Sequence, residues 1–397
     1  MKYRLQYKCT ACNQNIVKKK NIIELKKLPI TEIIINNPYY KKNIYFNQKL
    51  KYCEECNHLG LVYNYDVSKF YNENYLNSSN SFSNKSAQQI FYKFIRKHIL
   101  NKKQNIIEVG ANNLYLLELF KKNILKAIAI DPVVKKNNKL KNIKYLKKFS
   151  SEIKKNDINF KPGIILCSHT LEHIENPFQF MKDFAKFGDK NTKYFFQFPS
   201  CESIIDRSAF DQIHHQHLNY FSLLSFSKMI SKLGLEVIDY EFNEHHYGAL
   251  MFYFKMKSNK TKKKENFLKS KTLSKINLKE RYKKYQNYTE NLIQVVKSYK
   301  KRNYKIYAIG ASLMLPIIDF HLKKLFNIVD NILDDDKKKI GKFFPNINAK
   351  IKSLNNTDLK KSVVIIASVA SSVTTRKLIS IVDKKNANII IVPSLSF

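Results

Sequence analysis

Between residues 105 and 254, short apolar runs alternate with segments whose apolar residues recur every three or four positions. NIIEVG (105–110), KAIAID (126–131), GIILCS (163–168), KYFFQF (193–198), LEVIDYE (235–241) and YGALMFYF (247–254) read as strands. YLLELFKK (115–122), PFQFMKDFAKF (177–187) and LLSFSKMISKLG (223–234) have helical spacing. This alternation predicts an α/β fold with a mostly parallel, doubly wound sheet, whose ligands sit at the carboxyl ends of the strands. A helix is expected at SAQQIFYKFIRKHIL (86–100). A second α/β pattern begins at residue 303. NYKIYAIGAS (303–312), FNIVDN (326–331), KSVVIIAS (361–368) and ANIIIVPS (387–394) are its strands, and LISIVDKKN (378–386) is a helix. The chain therefore divides into residues 1–70, a helical connector at 71–105, a core at 106–254, a charged helical bridge at 255–302 and a carboxy-terminal α/β unit at 303–397.

The formal net charge of +39 points by itself toward nucleic acid. Its distribution argues otherwise. Lysine is spread through loops and helices alike, and only KMKSNKTKKKE (255–265) is a dense block. No nucleic-acid partner is expected. With 44% apolar residues the chain has ample material for folded cores. It holds no 20-residue apolar run, and MKYRLQYKCTACNQ has no hydrophobic leader core, so a soluble, cytoplasmic protein without membrane attachment is expected. Monomer and dimer both remain open.

Six cysteines change the picture of the first 70 residues. Cys9, Cys12, Cys53 and Cys56 form two C-x2-C pairs, each able to present two thiolates to one ion. The set predicts a structural, tetrahedral zinc site.

In NIIEVGANNLYLLELF a strand runs straight into a helix. Glu108 ends the strand, Gly110 permits a tight turn, and Asn112 lies at the helix entry, where backbone N–H groups are unpaired. Asp131 ends the next strand, where a carboxylate can accept both hydroxyls of a ribose. These features suggest a nucleoside-bearing cofactor. A dinucleotide wants three glycines for its pyrophosphate, and this turn has one. S-adenosylmethionine carries no phosphate and fits better than NAD.

CSHTLEHIENPFQF (167–180) follows a strand at the same sheet edge. His169 and His173 would share a face of a helical turn, with Glu172 pointing away or capping. No H-E-x-x-H accompanies them, so packing or substrate contact is preferred over a catalytic metal, with His169 a candidate contact to the cofactor. FDQIHHQHLNYFS (210–222) should lie over the carboxyl edge of the sheet. His217 pairs with His215 if the stretch is extended and with His214 if it is helical. An imidazole there suits proton transfer at cellular pH. Tyr220 and Phe221 are suited to exclude water or stack on a flat ligand, and His215 and Tyr220 are candidate substrate contacts. In EHHYGALMFYF, Gly248 allows close approach, which makes His246 a candidate wall of the same pocket.

These stretches carry a resemblance. The chain resembles the three-part C-methyltransferase family that includes sugar 3-C-methyltransferases, over nearly its whole length. CTAC and CEECNHLGLVY are similar to that family's zinc-binding domain, IIEVGANNLYLL to its S-adenosylmethionine loop and AIDP to its ribose-binding step. FDQIHHQHLNYFS is the most specific match, the usual pattern being close to FD-x-IYHEH-x-x-YFS. YAIGAS, IVDN and IIIVPS are similar to its carboxy-terminal, substrate-side domain. The resemblance implies a class I methyltransferase sheet and a nucleotide-linked 4-keto-deoxysugar substrate, as in deoxysugar biosynthesis. It implies His217 as the general base, His173 as an active-site histidine and His246 as a pocket residue. His214 stands where the family has a catalytic tyrosine, Gln216 where it has a glutamate, and Leu114 where the cofactor loop has its last glycine. The expected function is C-methylation through a base-generated enolate. Methyl transfer to oxygen or nitrogen, a noncatalytic role and a nucleic-acid association are the alternatives.

Overall fold

The computed structural model describes residues 2–16, 21–66, 81–245, 248–258, 277–369 and 371–393. Near the amino terminus lie strands β1 (Tyr3–Leu5), β2 (Ile22–Pro29), β3 (Tyr45–Cys53), β4 (His58–Leu61) and β5 (Tyr63–Tyr65). β2, β3 and β4 are antiparallel neighbours, and β1 and β5 form a separate ribbon. Helix α1 (Phe82–His98) starts at Ser81, whose side chain accepts the Asn84 N–H, and it buries Ala87, Phe91, Phe94 and Ile95 at helical spacing.

The centre comprises β6 (Gln104–Val109), α2 (Tyr115–Leu119), β7 (Ile124–Ile130), β8 (Ile143–Leu146), β9 (Ile164–Ser168), α3 (Pro177–Ala185), β10 (Lys193–Phe198), α4 (Cys201–Asp206), β11 (Asn219–Tyr220), α5 (Leu223–Ser231), β12 (Leu235–Asn243) and β13 (Ala249–Met256). Seven of these strands form one sheet, ordered β12-β13-β10-β9-β6-β7-β8. β8, β7, β6, β9 and β10 run parallel, whereas β13 is antiparallel to both of its neighbours. The strand order reverses between β6 and β9, so the crevice beyond Val109 and Ser168 is the expected ligand position.

The carboxy-terminal part comprises α6 (Leu278–Lys301), β14 (Lys305–Ile309), α7 (Leu315–His321), β15 (Asn331–Leu333), β16 (Lys350–Lys352), β17 (Ser362–Ile366), α8 (Ser372–Lys384) and β18 (Ile389–Ile391). Its sheet is all parallel, ordered β16-β15-β14-β17-β18.

Several elements differ from the sequence reading. β8 and β16 were not expected. Both are three- or four-residue edges with lysine alternating against apolar residues, and such edges carry little periodicity. FNIVDN holds a turn of 3-10 helix at Leu325–Ile328, and its strand begins later, at Asn331. The charged bridge is no spacer. Along α6, Leu278, Tyr282 and Tyr285 join a core with Leu25, Leu59 and Phe210, while Ile293 and Val296 join the core of the carboxy-terminal sheet. One helix of about 36 Å thus serves two cores. Most of the dense lysine block, from residue 259 on, lies outside the described residues. Among the described residues no helix is long and apolar enough to cross a membrane.

Segment 210–222 is the return limb of an excursion between β10 and α5. The Cys201 N–H donates to the Phe221 carbonyl at 2.9 Å and closes its neck. Its outer end does not lie on the central sheet. β11 pairs with β4 through Asn219 and Gly60, making the amino-terminal sheet four-stranded in the order β11-β4-β3-β2.

Candidate functional site

The cysteines come together first. Asn13 and Asn57 each follow a C-x2-C pair and turn left-handed, at φ 68° and 57°. The Asn13 N–H bonds to the Cys9 carbonyl and the Asn57 N–H to the Cys53 carbonyl, both at 2.8 Å. Asparagine tolerates that conformation better than most residues, so C-x2-C-N is the real unit of each knuckle. Sulfur to sulfur, Cys9–Cys56 is 3.5 Å and Cys12–Cys53 is 3.6 Å, and all four sulfurs lie within 4.8 Å of one another. Tetrahedral zinc with bonds of about 2.3 Å needs sulfurs about 3.8 Å apart, so the set fits one such ion. Lys51 is fully buried beside it, with its ammonium on the carbonyls of Gln6 and Lys8. Its charge offsets part of the negative charge of four thiolates.

The turn after β6 is built for close approach. Gly110 has φ 75°, and a Cβ there would lie 1.8 Å from the Thr170 hydroxyl. Leu114 occupies a left-handed position at φ 67° as the cap of α2, buried in the core. Its backbone therefore does what a glycine would do, at a strain of about 1–2 kcal/mol. Asp131 accepts the Asn112 N–H at 3.1 Å and the Val133 N–H at 2.8 Å, one on each oxygen. Each oxygen keeps a second acceptor position for a ribose hydroxyl. Glu108 is buried, and burial together with the nearby Asp131 charge holds its carboxyl well above the usual range. Its Oε2 has no hydrogen-bond partner among the described residues. An unpartnered buried oxygen, a glycine cradle and an acid at the ribose position together fit S-adenosylmethionine. Glu108, Asp131 and the backbone at Asn112 would hold it.

His169 and His173 do not share a face. His169 precedes a short 3-10 turn in a left-handed conformation, φ 49°, and its Nδ1 reaches Glu172 Oε1 at 3.1 Å. Burial pushes His169 down to about 3, so the ring is neutral. Glu172 points inward, not outward, and is fully buried. His173 is exposed and donates Nδ1–H to the Gln216 carbonyl at 2.9 Å. In the neutral ring this leaves Nε2 as the acceptor.

Loop and turn clasp each other around His217. The Leu218 N–H donates to the Glu172 carbonyl at 2.8 Å. The His217 ring centroid lies 4.8 Å from that of His173 and 4.0 Å from that of His214. His214 is buried, and burial lowers it to about 3. Gln216 Oε1 takes its Nδ1 hydrogen at 2.8 Å and the Thr31 hydroxyl at 3.3 Å. In this tautomer His214 Nε2 accepts, so it does not replace the donor of a tyrosine.

Two further sequence candidates sit elsewhere than expected. His215 is buried with Nε2 on the Leu28 carbonyl at 3.0 Å and Nδ1 beside the Gln48 amide at 3.3 Å. Its partners belong to the amino-terminal sheet, so it anchors the loop instead of facing a substrate. Tyr220 is fully buried and donates its hydroxyl to the Gln212 carbonyl at 3.2 Å. His246 lies outside the described residues. Its neighbour His245 is described, with Nδ1 2.9 Å from the Ser371 hydroxyl at the cap of α8.

Asn219 was not singled out from the sequence, yet it joins the pieces. Its Nδ2 donates to the Ile174 carbonyl at 2.7 Å, and its Oδ1 accepts from the Thr10 hydroxyl at 2.6 Å. Thr10 lies inside the first cysteine knuckle and in turn accepts from His58 Nε2 at 2.9 Å. Ser222 donates to the carbonyl of Cys56 at 3.0 Å in the second knuckle. An asparagine two residues past a histidine gives no signal in one sequence. Only the fold reveals it.

Residues 84–240 match a family model described as a methyltransferase domain. None of the curated proteins compared with the chain matches it. Among solved structures it is similar to the 1,6-didemethyltoxoflavin-N1-methyltransferase of Burkholderia thailandensis, at 9% identity and TM-score 0.39, over 56% of this chain and 100% of that one. It is similar also to magnesium protoporphyrin IX methyltransferase of Synechocystis, at 9% identity and TM-score 0.37, over 48% and 92%. The N-methyltransferase NodS of Bradyrhizobium japonicum gives 8% identity and TM-score 0.38, over 48% and 96%. The segment that matches the methyltransferase domain model spans most of the central sheet, an α/β core like that of class I methyltransferases, and a cysteine cluster able to bind zinc accompanies it.

Gly110→Ala should weaken S-adenosylhomocysteine binding by roughly tenfold or more, because a left-handed alanine costs about 1–2 kcal/mol before the clash with Thr170 is counted. Titration calorimetry measures this, and an unchanged affinity would detach the turn from the cofactor. Cys53→Ser should take zinc content by elemental analysis from about one ion per chain toward none.

Proposed function

We propose that this chain is an S-adenosylmethionine-dependent methyltransferase that methylates a carbon of a nucleotide-linked keto-deoxysugar. The observation that carries the reading is the half-exposed imidazole of His217, lodged between His173 and His214 on a loop clasped to the turn after β9. That turn also touches the cofactor loop, since Thr170 lies against Gly110. One short turn thus connects the candidate cofactor position with the candidate base.

His217 takes the proton from the carbon beside the substrate carbonyl, and the electron pair of that bond passes into the enolate. When bound, S-adenosylmethionine supplies a methyl on positively charged sulfur, and the carbon–methyl bond forms as the sulfur–methyl bond breaks to leave a neutral thioether. The imidazolium of His217 balances the enolate charge beside it and later returns its proton to water. His173 and His214, each with Nδ1 committed, flank that ring with acceptor nitrogens. The Ser371–His245 contact brings the carboxy-terminal sheet, through the cap of α8, to His245 beyond the end of β12. This supports a substrate with a second part held by that sheet, as a nucleotide-linked sugar has. The zinc cluster is given a structural role.

Methyl transfer to oxygen or nitrogen is the second reading, because the neutral His214 tautomer lacks the donor expected for an enolate oxygen. Solvent exchange separates the two. With a nucleotide-linked keto-deoxysugar in deuterated water, the protein should exchange the proton beside the carbonyl even without methyl donor. His217→Asn should abolish that exchange and lower turnover by about 100-fold or more while leaving cofactor affinity within about twofold. An O-methyl product with no exchange would replace the C-methyl reading by the second.

A further inference from the structure

The carboxy-terminal sheet repeats the cofactor turn of the central one. Its order β16-β15-β14-β17-β18 matches β8-β7-β6-β9-β10, and all of these strands run parallel. Gly310 follows β14 as Gly110 follows β6, and both turn left-handed, at φ 89° and 75°. The Gly310 N–H donates to the Leu333 carbonyl at 2.8 Å, as the Gly110 N–H donates to the Ile130 carbonyl at 2.8 Å. A Cβ on Gly310 would lie 2.5 Å from the Ser368 Cβ, two residues past β17, and Thr170 stands two residues past β9 against Gly110. Asp334 follows β15 as Asp131 follows β7. Asp334 Oδ2 accepts the Ala311 N–H at 2.7 Å and Oδ1 the Asp336 N–H at 2.8 Å. Those are the positions that Asn112 and Val133 hold on Asp131. We infer that this second turn is a site for a ribonucleoside diphosphate, with Asp334 on the ribose hydroxyls and Lys339 on the phosphates. That ligand is the nucleotide part of the substrate, an identification that rests on the substrate reading above.

The two turns differ where their ligands must. IIEVGA (106–111) aligns with IYAIGA (306–311), so the buried Ala308 stands where the core has Glu108. No acid at that position faces a cationic sulfur. Lys339 brings a positive charge instead. Its ammonium sits on the Ala311 carbonyl at 3.0 Å and lies 3.4 Å from Asp334 Oδ2, and both side chains are largely buried. Gly310 is the lone glycine of YAIGAS, so the backbone makes no long cradle for phosphate, and the charge has to be met by a side chain. An ammonium on a flexible stem does that, and its contact with Oδ2 is long enough to yield to a ribose hydroxyl. Each Asp334 oxygen carries one backbone N–H and has a second acceptor position. That suits the adjacent pair of hydroxyls on a ribose better than the single one of a 2′-deoxyribose. The site also adjoins the core. Ser371, at the cap of α8 beyond the same end of β17, lies 2.9 Å from His245 Nδ1. A group attached to the diphosphate therefore has the central domain beside it.

Titration calorimetry on the full chain, zinc-loaded and saturated with S-adenosylhomocysteine, tests this with ADP, GDP, CDP and UDP as probes. At least one should bind, and its 2′-deoxy counterpart should bind about tenfold more weakly for want of one charge-assisted hydrogen bond. Asp334→Ala should weaken the ribonucleotide by about tenfold or more, and Lys339→Gln should weaken it while flattening the salt dependence of binding. The affinity for S-adenosylhomocysteine should be unchanged in both variants. Absence of binding by all four probes overturns the inference, as does an affinity that Asp334→Ala leaves unchanged. S-adenosylhomocysteine titrated alone should fill a single site, and a second one lost in Asp334→Ala would overturn the choice of an anionic ligand. Should Asp334→Ala fail to fold, the preference of the natural protein for ribose over deoxyribose decides alone, and equal affinities overturn the inference. None of these readouts needs a keto group or a methyl transfer. A bound nucleotide without proton exchange thus counts against the sugar reading only, and proton exchange without a bound nucleotide counts against this site only.

Discussion

The candidate base sits on a loop that the central sheet does not hold. Residues 210–222 return from the excursion after β10 to α5 away from the central sheet, and a 13-residue limb of that kind has high conformational entropy to lose. What fixes it is the pairing of β11 with β4, the strand that follows the second cysteine knuckle directly. Asn219 is the central link, with one side-chain atom on the knuckle residue Thr10 and the other on the carbonyl next to His173. Both polar atoms are buried and satisfied, so breaking either hydrogen bond strands a partner at a cost of about 1–3 kcal/mol. In this arrangement the metal cluster is no remote ornament. The four sulfurs, placed to hold one ion, gather at the start of β4, β4 pairs with β11, and β11 follows directly on the ring between His173 and His214.

Much of this was legible in the chain. The inner strands β6, β9, β10 and β13 are dense apolar runs, largely buried on both faces, and β6 and β9 end where the chemistry-bearing residues begin. Two C-x2-C pairs read as one metal cluster, and the sulfur spacing agrees with that. Gly110 and Asp131 stand at the turn and strand end where their chemistry was anticipated. Other features had no local signature. β8 and β16 are too short to show a period. The antiparallel insertion of β13 between β10 and β12 cannot be told from a parallel strand by composition, since a buried strand looks alike in either direction. α6 looked like a charged spacer because its apolar residues are diluted among lysines, although every third or fourth position is buried.

Histidine is where sequence reasoning was least secure. Three of them in four positions looked like a cluster with shared purpose, yet the fold gives each a different neighbourhood. His215 turns to the amino-terminal sheet and anchors the loop. His214 is buried and neutral. His217 alone combines partial exposure with close imidazole neighbours. Glu172 shows the opposite error, an apparent surface cap that proves fully buried. The direction of a side chain on a short 3-10 turn depends on what packs over it, and no periodicity reports that.

The account therefore stands on the mechanical link from the cysteine cluster to the histidine loop. Hydrogen–deuterium exchange read by mass spectrometry, on the zinc-loaded protein and again after chelation, tests it most directly. Metal removal should deprotect the peptides that cover 210–222 and 169–176 while β6 and β9 keep their protection. Unchanged protection of 210–222 in the metal-free chain would contradict the account.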